Sequence, residues 1–186
     1  QGVSSAASDV YKRQIWNRAI DKSVFRPLLS EELDPYYLYV GRVSREKNLE
    51  AFFSLDLDLP KVIVGEGPQL KEYKKKFSEV NFIGYKFGDE LAEIYSNARV
   101  KVFPSLTDTF GLVMLEANAC GTPVAAYPVT GPIDVISNGI NGYYDQDLKN
   151  AIEKACSINR ASCFEFADQF SWSNVAKQFL DTLIRL

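Results

Sequence analysis

Short apolar runs alternate with longer stretches of helical period along this chain. The runs fall at 36–40, 61–64, 81–83, 100–103 and 123–126, with a weaker one at 142–144. Each is too short for a helix and is rich in Val, Ile, Phe or Tyr, so each predicts a strand. Between them the apolar residues take helical spacing. Leu49, Phe52 and Phe53 fall at i, i+3, i+4, and Leu70, Tyr73 and Phe77 at i, i+3, i+7. Leu91, Ile94, Tyr95 and Ala98 repeat the pattern, as do Leu112, Leu115 and Ala119, then Leu148, Ile152 and Ala155. Two more helices are predicted over 160–169 and 173–184. Strands separated by helices of about ten residues read as βαβ units around a parallel sheet. The expected fold is α/β: a Rossmann-like, doubly wound parallel sheet of about six strands, with helices on both faces. In such sheets ligands sit beyond the carboxyl ends of the strands, so the residues just after each strand are the functional candidates.

Composition narrows the chemistry. The 186 residues are 46% hydrophobic, which suits one globular domain. The net charge of −3 argues against a nucleic-acid partner, which calls for a basic stripe. Three cysteines without zinc-type spacing read as reduced thiols, with Cys120 as a packing residue. There is no histidine, which removes Ser-His and Cys-His nucleophiles and His-ligated metals. Any catalysis here rests on placed charges, carboxylates, or groups supplied from elsewhere.

Three post-strand segments carry candidate chemistry. After the first strand, Gly41 to Asn48 reads GRVSREKN, where Arg42 and Lys47 suit a phosphate or diphosphate. After the second, VGEGP (64–68) makes a tight strand-to-helix turn that is neither a dinucleotide fingerprint nor a P-loop. After the fourth, Thr107, Asp108 and Thr109 are of N-cap type, and a helix is expected from about Phe110. Its first amides, on Phe110, Gly111, Leu112 and Val113, would form an anion site. Glu116 stands two turns into that helix. Each of these features alone also fits an ordinary surface or capping role. Lys71 and Lys74 to Lys76 form a basic run that reads first as a solvated helix face, with contact to an anionic lipid surface as the alternative.

Taken together the segments resemble the C-terminal, donor-binding half of the GT-B glycosyltransferases, in particular the retaining family 4. WNRAIDKSVFRP (16–27) is similar to that family's inter-domain segment, with Ala19 in place of the more usual Gly. GRVSREKN is similar to its diphosphate motif and VGEGP to its glycine loop. DTFGLVMLE (108–116) resembles its paired-acid motif, with Asp108 where most members carry Glu, followed by ACGTPVAA. FSWSNVAKQFL (170–180) resembles the final helix that crosses back to the first domain.

The resemblance implies roles. Arg42 and Lys47 would bind the diphosphate of a nucleotide-sugar and stabilise it as it leaves. Glu116 would accept from the ribose hydroxyls. Asp108, as a catalytic residue, would contact the transferred sugar, aided by the amides of Phe110, Gly111, Leu112 and Val113. The backbone near Lys86 would edge the base. It further implies no metal and no other cofactor, with GDP-mannose or a UDP-hexose as donor and a glycan or lipid-linked acceptor. An N-terminal Rossmann-like domain would be the partner. A cytoplasmic location is expected, with peripheral contact at the membrane's inner face. A catalytically inactive nucleotide-sugar-binding module and a sugar-nucleotide epimerase of the same architecture are the alternatives.

The expected organisation is a tail at 1–14, a connector at 15–35 and the nucleotide-sugar domain at 36–186, including the crossover helix. The tail, with VSSAASDVYKRQ at 3–14, resembles translated adapter sequence, so the working protein would be longer than this fragment.

Overall fold

Runs such as YLYV and KVIV bury on both sides only if a neighbour strand satisfies every backbone amide, and here they do. The computed structural model describes residues 18–28, 35–107 and 111–183. Its strands are β1 (Tyr37–Val40), β2 (Lys61–Val64), β3 (Asn81–Gly84), β4 (Val100–Phe103), β5 (Val124–Ala126) and β6 (Gly142–Tyr144). They pair in the order β3-β2-β1-β4-β5-β6, every pair parallel. The helices are α1 (Leu49–Phe53), α2 (Leu70–Lys76), α3 (Gly88–Asn97), α4 (Leu112–Ala119), α5 (Pro132–Val135), α6 (Leu148–Ala155), α7 (Arg160–Ala167) and α8 (Trp172–Leu183). The doubly wound parallel sheet expected from the sequence is therefore the fold.

Strand alternation divides the core in two. Tyr37, Tyr39, Ile63, Val100, Val102 and Ala125 face α1, α2 and α6. Leu38, Val40, Val62, Val64, Phe103, Val124 and Ala126 face α3 and α4, with Ala167 of α7 and Phe170 beyond it. The chain steps outward from β1 to β2 to β3, then returns to lay β4 on the other side of β1. That reversal opens a crevice beyond the carboxyl ends of β1 and β4.

Residues 18–28 run beside the end of the domain. The Ile20 amide donates to Phe170 O at 2.8 Å, and Ile20 bridges Ser171 in parallel, just before α8. The basic run on α2 is exposed, as its solvated reading expects, and Lys76 pairs with Glu50 at 2.5 Å. Among the described residues no helix is long and apolar enough to cross a membrane.

Candidate functional site

The loops after β1 and β2 are built as one backbone-on-backbone layer. The Val43 amide donates to Glu66 O at 2.9 Å, and Gln69 donates back to Val43 O at 3.2 Å. A Cβ on Gly67 would lie 2.1 Å from Val43 O, and one on Gly65 would lie 2.0 Å from Gly41 O. No side chain fits either contact, which explains the spacing of VGEGP: its glycines hold the β1 loop in place. The Tyr39 hydroxyl donates to Arg42 O at 2.9 Å from below. A 3-10 turn at Arg45–Lys47 follows, then Asn48 in the left-handed region at φ 52°. Its Nδ2 donates to Pro104 O at 3.1 Å, tying this loop to the end of β4. Arg42 and Lys47 thus stand on a loop fixed on three sides.

α4 starts differently from expectation. Its N-cap is Gly111 at φ 67°, without a side-chain cap, and the first helical residue is Leu112 rather than Phe110. The Gly111 carbonyl accepts from the Met114 amide at 2.9 Å, so Gly111 belongs to the cap and not to the first helical turn. The left-handed conformation at this point favours glycine over the polar residue types that the sequence suggested as caps. The amides of Leu112 and Val113 belong to the open first turn. Asp108 and Phe110 lie outside the described residues.

Glu116 is half-buried on α4. Burial pushes its carboxyl up from the ordinary value, against the hydrogen bond from Tyr95 and the positive charge of Lys101. The Tyr95 hydroxyl donates to Glu116 Oε2 at 3.0 Å. Tyr95 is fully buried, and that burial holds it protonated well above the usual tyrosine range. Lys101, in the centre of β4, is a fully buried cation that the sequence reading passed over. Its Nζ donates to Val102 O at 3.3 Å and lies 5.3 Å from the Tyr39 ring and 5.2 Å from the Phe103 ring.

Two cavities meet at Arg42. The larger, about 500 Å³, is walled by Phe25, Tyr85, Phe87 and Leu91, with Glu66, Lys86 and Glu116 at its polar edges. The smaller, about 290 Å³, is lined by Arg18, Arg42, Lys47, Phe103 and the chain from Gly111 to Val113. The fold therefore brings Arg42, Lys47, Lys86, Gly111, Leu112, Val113 and Glu116 to one crevice. Lys86 is present chiefly as backbone, because its ammonium pairs with Glu90 on α3. Sequence reasoning missed Arg18 and Phe25. Their signal was position in the segment before β1, which only tertiary docking brings to the cleft.

The cysteines are all unpaired. Cys120 is buried, and burial pushes its thiol up to about 12, as a packing role requires. Among the described residues no three His, Cys, Asp or Glu side chains gather to hold a metal ion.

A six-stranded parallel sheet of this order, flanked by helices on both faces, is a Rossmann-like α/β fold of the GT-B type. The chain matches the model of glycosyl transferases group 1 over residues 21–162, and it belongs to that family. It is 34% identical over 188 residues to a GDP-mannose-dependent alpha-mannosyltransferase of Corynebacterium glutamicum, covering 89% of this chain and 46% of the relative. It is 32% identical over 156 residues to a sulfoquinovosyl transferase of Arabidopsis thaliana, covering 75% of this chain and 31% of that one. Its fold matches Anabaena HepE in complex with UDP at a TM-score of 0.67 and 21% identity, over 82% of this chain and 50% of that one. The chain thus spans less than half the length of these two curated relatives.

Proposed function

We propose that this chain is the donor-binding half of a retaining glycosyltransferase of family 4, transferring a hexosyl group from a nucleotide diphosphate sugar to a glycan or lipid-linked acceptor. The observation that carries the reading is the pair of cavities joined at Arg42, one walled by aromatic rings and the other by cations. The nucleoside occupies the larger cavity, with its ribose hydroxyls donating to Glu116 and the base beside the backbone of 85–87. The diphosphate lies across Arg42 toward Lys47 and the first amides of α4. Mannose is the favoured sugar, because the Corynebacterium relative is named for GDP-mannose. A UDP-hexose is the competing donor.

Bond cleavage leaves negative charge on the departing diphosphate and positive character at the anomeric carbon. Arg42, Lys47 and the amides of Leu112 and Val113 are in place before that charge develops, so they stabilise it without reorganising. The acceptor attacks on the face from which the phosphate departs, and the departing oxygen takes its proton. Asp108 would contact the hydroxyls of the transferred sugar. Acceptor contacts would come from a preceding Rossmann-like domain.

Calorimetric titration of this chain with UDP, GDP, UDP-glucose and GDP-mannose tests the reading. Saturable binding of one nucleotide series is expected, with the matching sugar nucleotide bound at the same site. A folded chain that binds none of the four would overturn it.

A further inference from the structure

We propose that Tyr95 is a positioning residue for ribose recognition: its hydroxyl holds one oxygen of Glu116, so that the carboxylate meets the ribose hydroxyls of a bound nucleotide in one fixed orientation. This rests on the nucleotide reading above.

Glu116 lines the larger cavity, whereas Tyr95 lines neither cavity. Tyr95 therefore acts on a ligand only through Glu116. Its hydroxyl donates to Glu116 Oε2 at 3.0 Å. A carboxylate has about four lone-pair sites on its two oxygens, so one donor from the protein leaves capacity for two sugar hydroxyls. The last torsion of a glutamate is broad, and without such a donor the plane of the carboxylate is loosely set.

Tyr95 is itself firmly held. It is fully buried on α3, and its carbonyl accepts from the Ala98 amide at 3.1 Å and from the Thr122 hydroxyl. The Phe25 ring meets its ring edge-on at 6.1 Å, and Phe25 also walls the larger cavity. A phenol fixed in this way loses little freedom when it orients a partner.

Tyr95 and Lys101 act differently on Glu116. Both favour the ionised carboxyl against the burial that disfavours it, but only the Tyr95 bond fixes a particular oxygen. Cys120 on α4 is the further titratable group beside Glu116, and Arg42, Glu66 and Lys86 stand around the same cavity. Burial keeps Tyr95 and Cys120 protonated at neutral pH. Removing the Tyr95 hydroxyl leaves burial less opposed. The Glu116 carboxyl then moves further up, and its charged form is lost at a higher pH.

The test is calorimetry over a pH series on the whole chain, parent and Tyr95→Phe. The ligands are UDP, GDP and their dideoxy counterparts, which lack both ribose hydroxyls. The parent should bind the preferred diphosphate more tightly than its dideoxy form. Tyr95→Phe should weaken the ribose form by about three- to tenfold and change the dideoxy form by less than about twofold. The acid limb of ribonucleotide binding should move to higher pH. In a Glu116→Ala background Tyr95→Phe should have no effect on affinity, since nothing remains to be positioned. Equal weakening of the ribose and dideoxy forms marks a merely structural role and overturns the proposal. An unchanged affinity with an unmoved acid limb also overturns it. Tyr95→Phe removes one oxygen and keeps the ring, so the fold should persist, which circular dichroism checks. Should it not persist, proton resonance of the buried Tyr95 hydroxyl in the parent decides. The ribonucleotide should shift that signal and the dideoxy form should not, and an equal response to both overturns the proposal. If the parent binds a diphosphate but ignores the ribose hydroxyls, this proposal falls and the nucleotide site stands. If the folded parent binds neither UDP nor GDP, the nucleotide reading falls and takes this proposal with it.

Discussion

The two cavities that meet at Arg42 are built from opposite chemistry. The larger exposes aromatic surface, with Tyr85 and Phe87 at 68% and 71% exposure and their ring centroids 6.1 Å apart. Its charged groups are balanced in sign. The smaller offers cations and the open amides of a helix. Contacts in the first depend on burial and shape, which salt hardly alters. Contacts in the second depend on exposed charges, which salt screens over a Debye length of about 8–10 Å. In the proposed reading, one ligand straddles both regimes. Its affinity should then separate into a nucleoside part insensitive to ionic strength and a diphosphate part that falls with it.

The most damaging way to break this division is to move the wall the cavities share. Gly67→Ala places a Cβ 2.1 Å from Val43 O, a contact no rotamer relieves, so the β1 loop must shift. We expect a loss of about 1–3 kcal/mol in thermal or denaturant stability. Nucleotide affinity should drop by about a hundredfold or more, because Arg42 and Lys47 move together. Unchanged affinity would show that the two loops do not position the cations.

Arg42→Ala comes next. It leaves the loop intact and removes the one charged side chain among the residues that line both cavities. Nucleoside diphosphate binding should weaken by about ten- to a hundredfold, as for one charged hydrogen bond. The remaining affinity should also depend less on salt. A loss confined to the nucleoside part would reverse the proposed orientation.

Glu116→Gln sharpens the nucleoside side. Burial raises the Glu116 carboxyl, so its charged form is the one disfavoured in the fold. Binding through the carboxylate should weaken as pH falls through that raised pKa, and the Gln variant should lose this acid limb. Stability runs the other way. A raised folded pKa gives a contribution present below the unfolded value and lost as pH rises through the folded one. The melting temperature of the Gln variant should therefore gain on that of the parent as pH rises, with the two converging in acid. A parent and variant with parallel pH profiles in both measurements would show that Glu116 is not the titrating group.

How legible this site was in the sequence differs between its parts. Five of the six strands stood out as short apolar runs between helical stretches, the one at 142–144 was weaker, and the ends of all six fall within one residue of those expected. The cap signals were less trustworthy. Asp147 caps α6 as its residue type promises, accepting from the Lys149 amide at 2.9 Å. At α4 the polar run starting at Thr107 suggested the same, yet the cap is Gly111. There the backbone conformation sets the helix start, and side-chain type says nothing of it. α5 is four residues long and carries no period to read. Lys101 was passed over, and it is buried because a central parallel strand has no outward face. Arg18 and Phe25 could not be read at all, since their place follows from the docking of Ile20 against Phe170.

The smallest expected effect is at Lys86, and it tests whether the wall of the larger cavity is backbone or side chain. Lys86 lines that cavity, but its ammonium is committed to Glu90 four residues on. An exposed pair of this kind contributes about 0.3–0.5 kcal/mol, so Lys86→Ala should barely change stability. Tyr85 and Phe87 keep their places in the variant, because the loop leaves β3 at Gly84, whose carbonyl accepts from the Gly65 amide at 2.8 Å. Nucleotide affinity should therefore change by less than about twofold. A loss approaching that of Arg42→Ala would mean that the ammonium leaves Glu90 for the ligand, and the larger cavity would then be cationic as well.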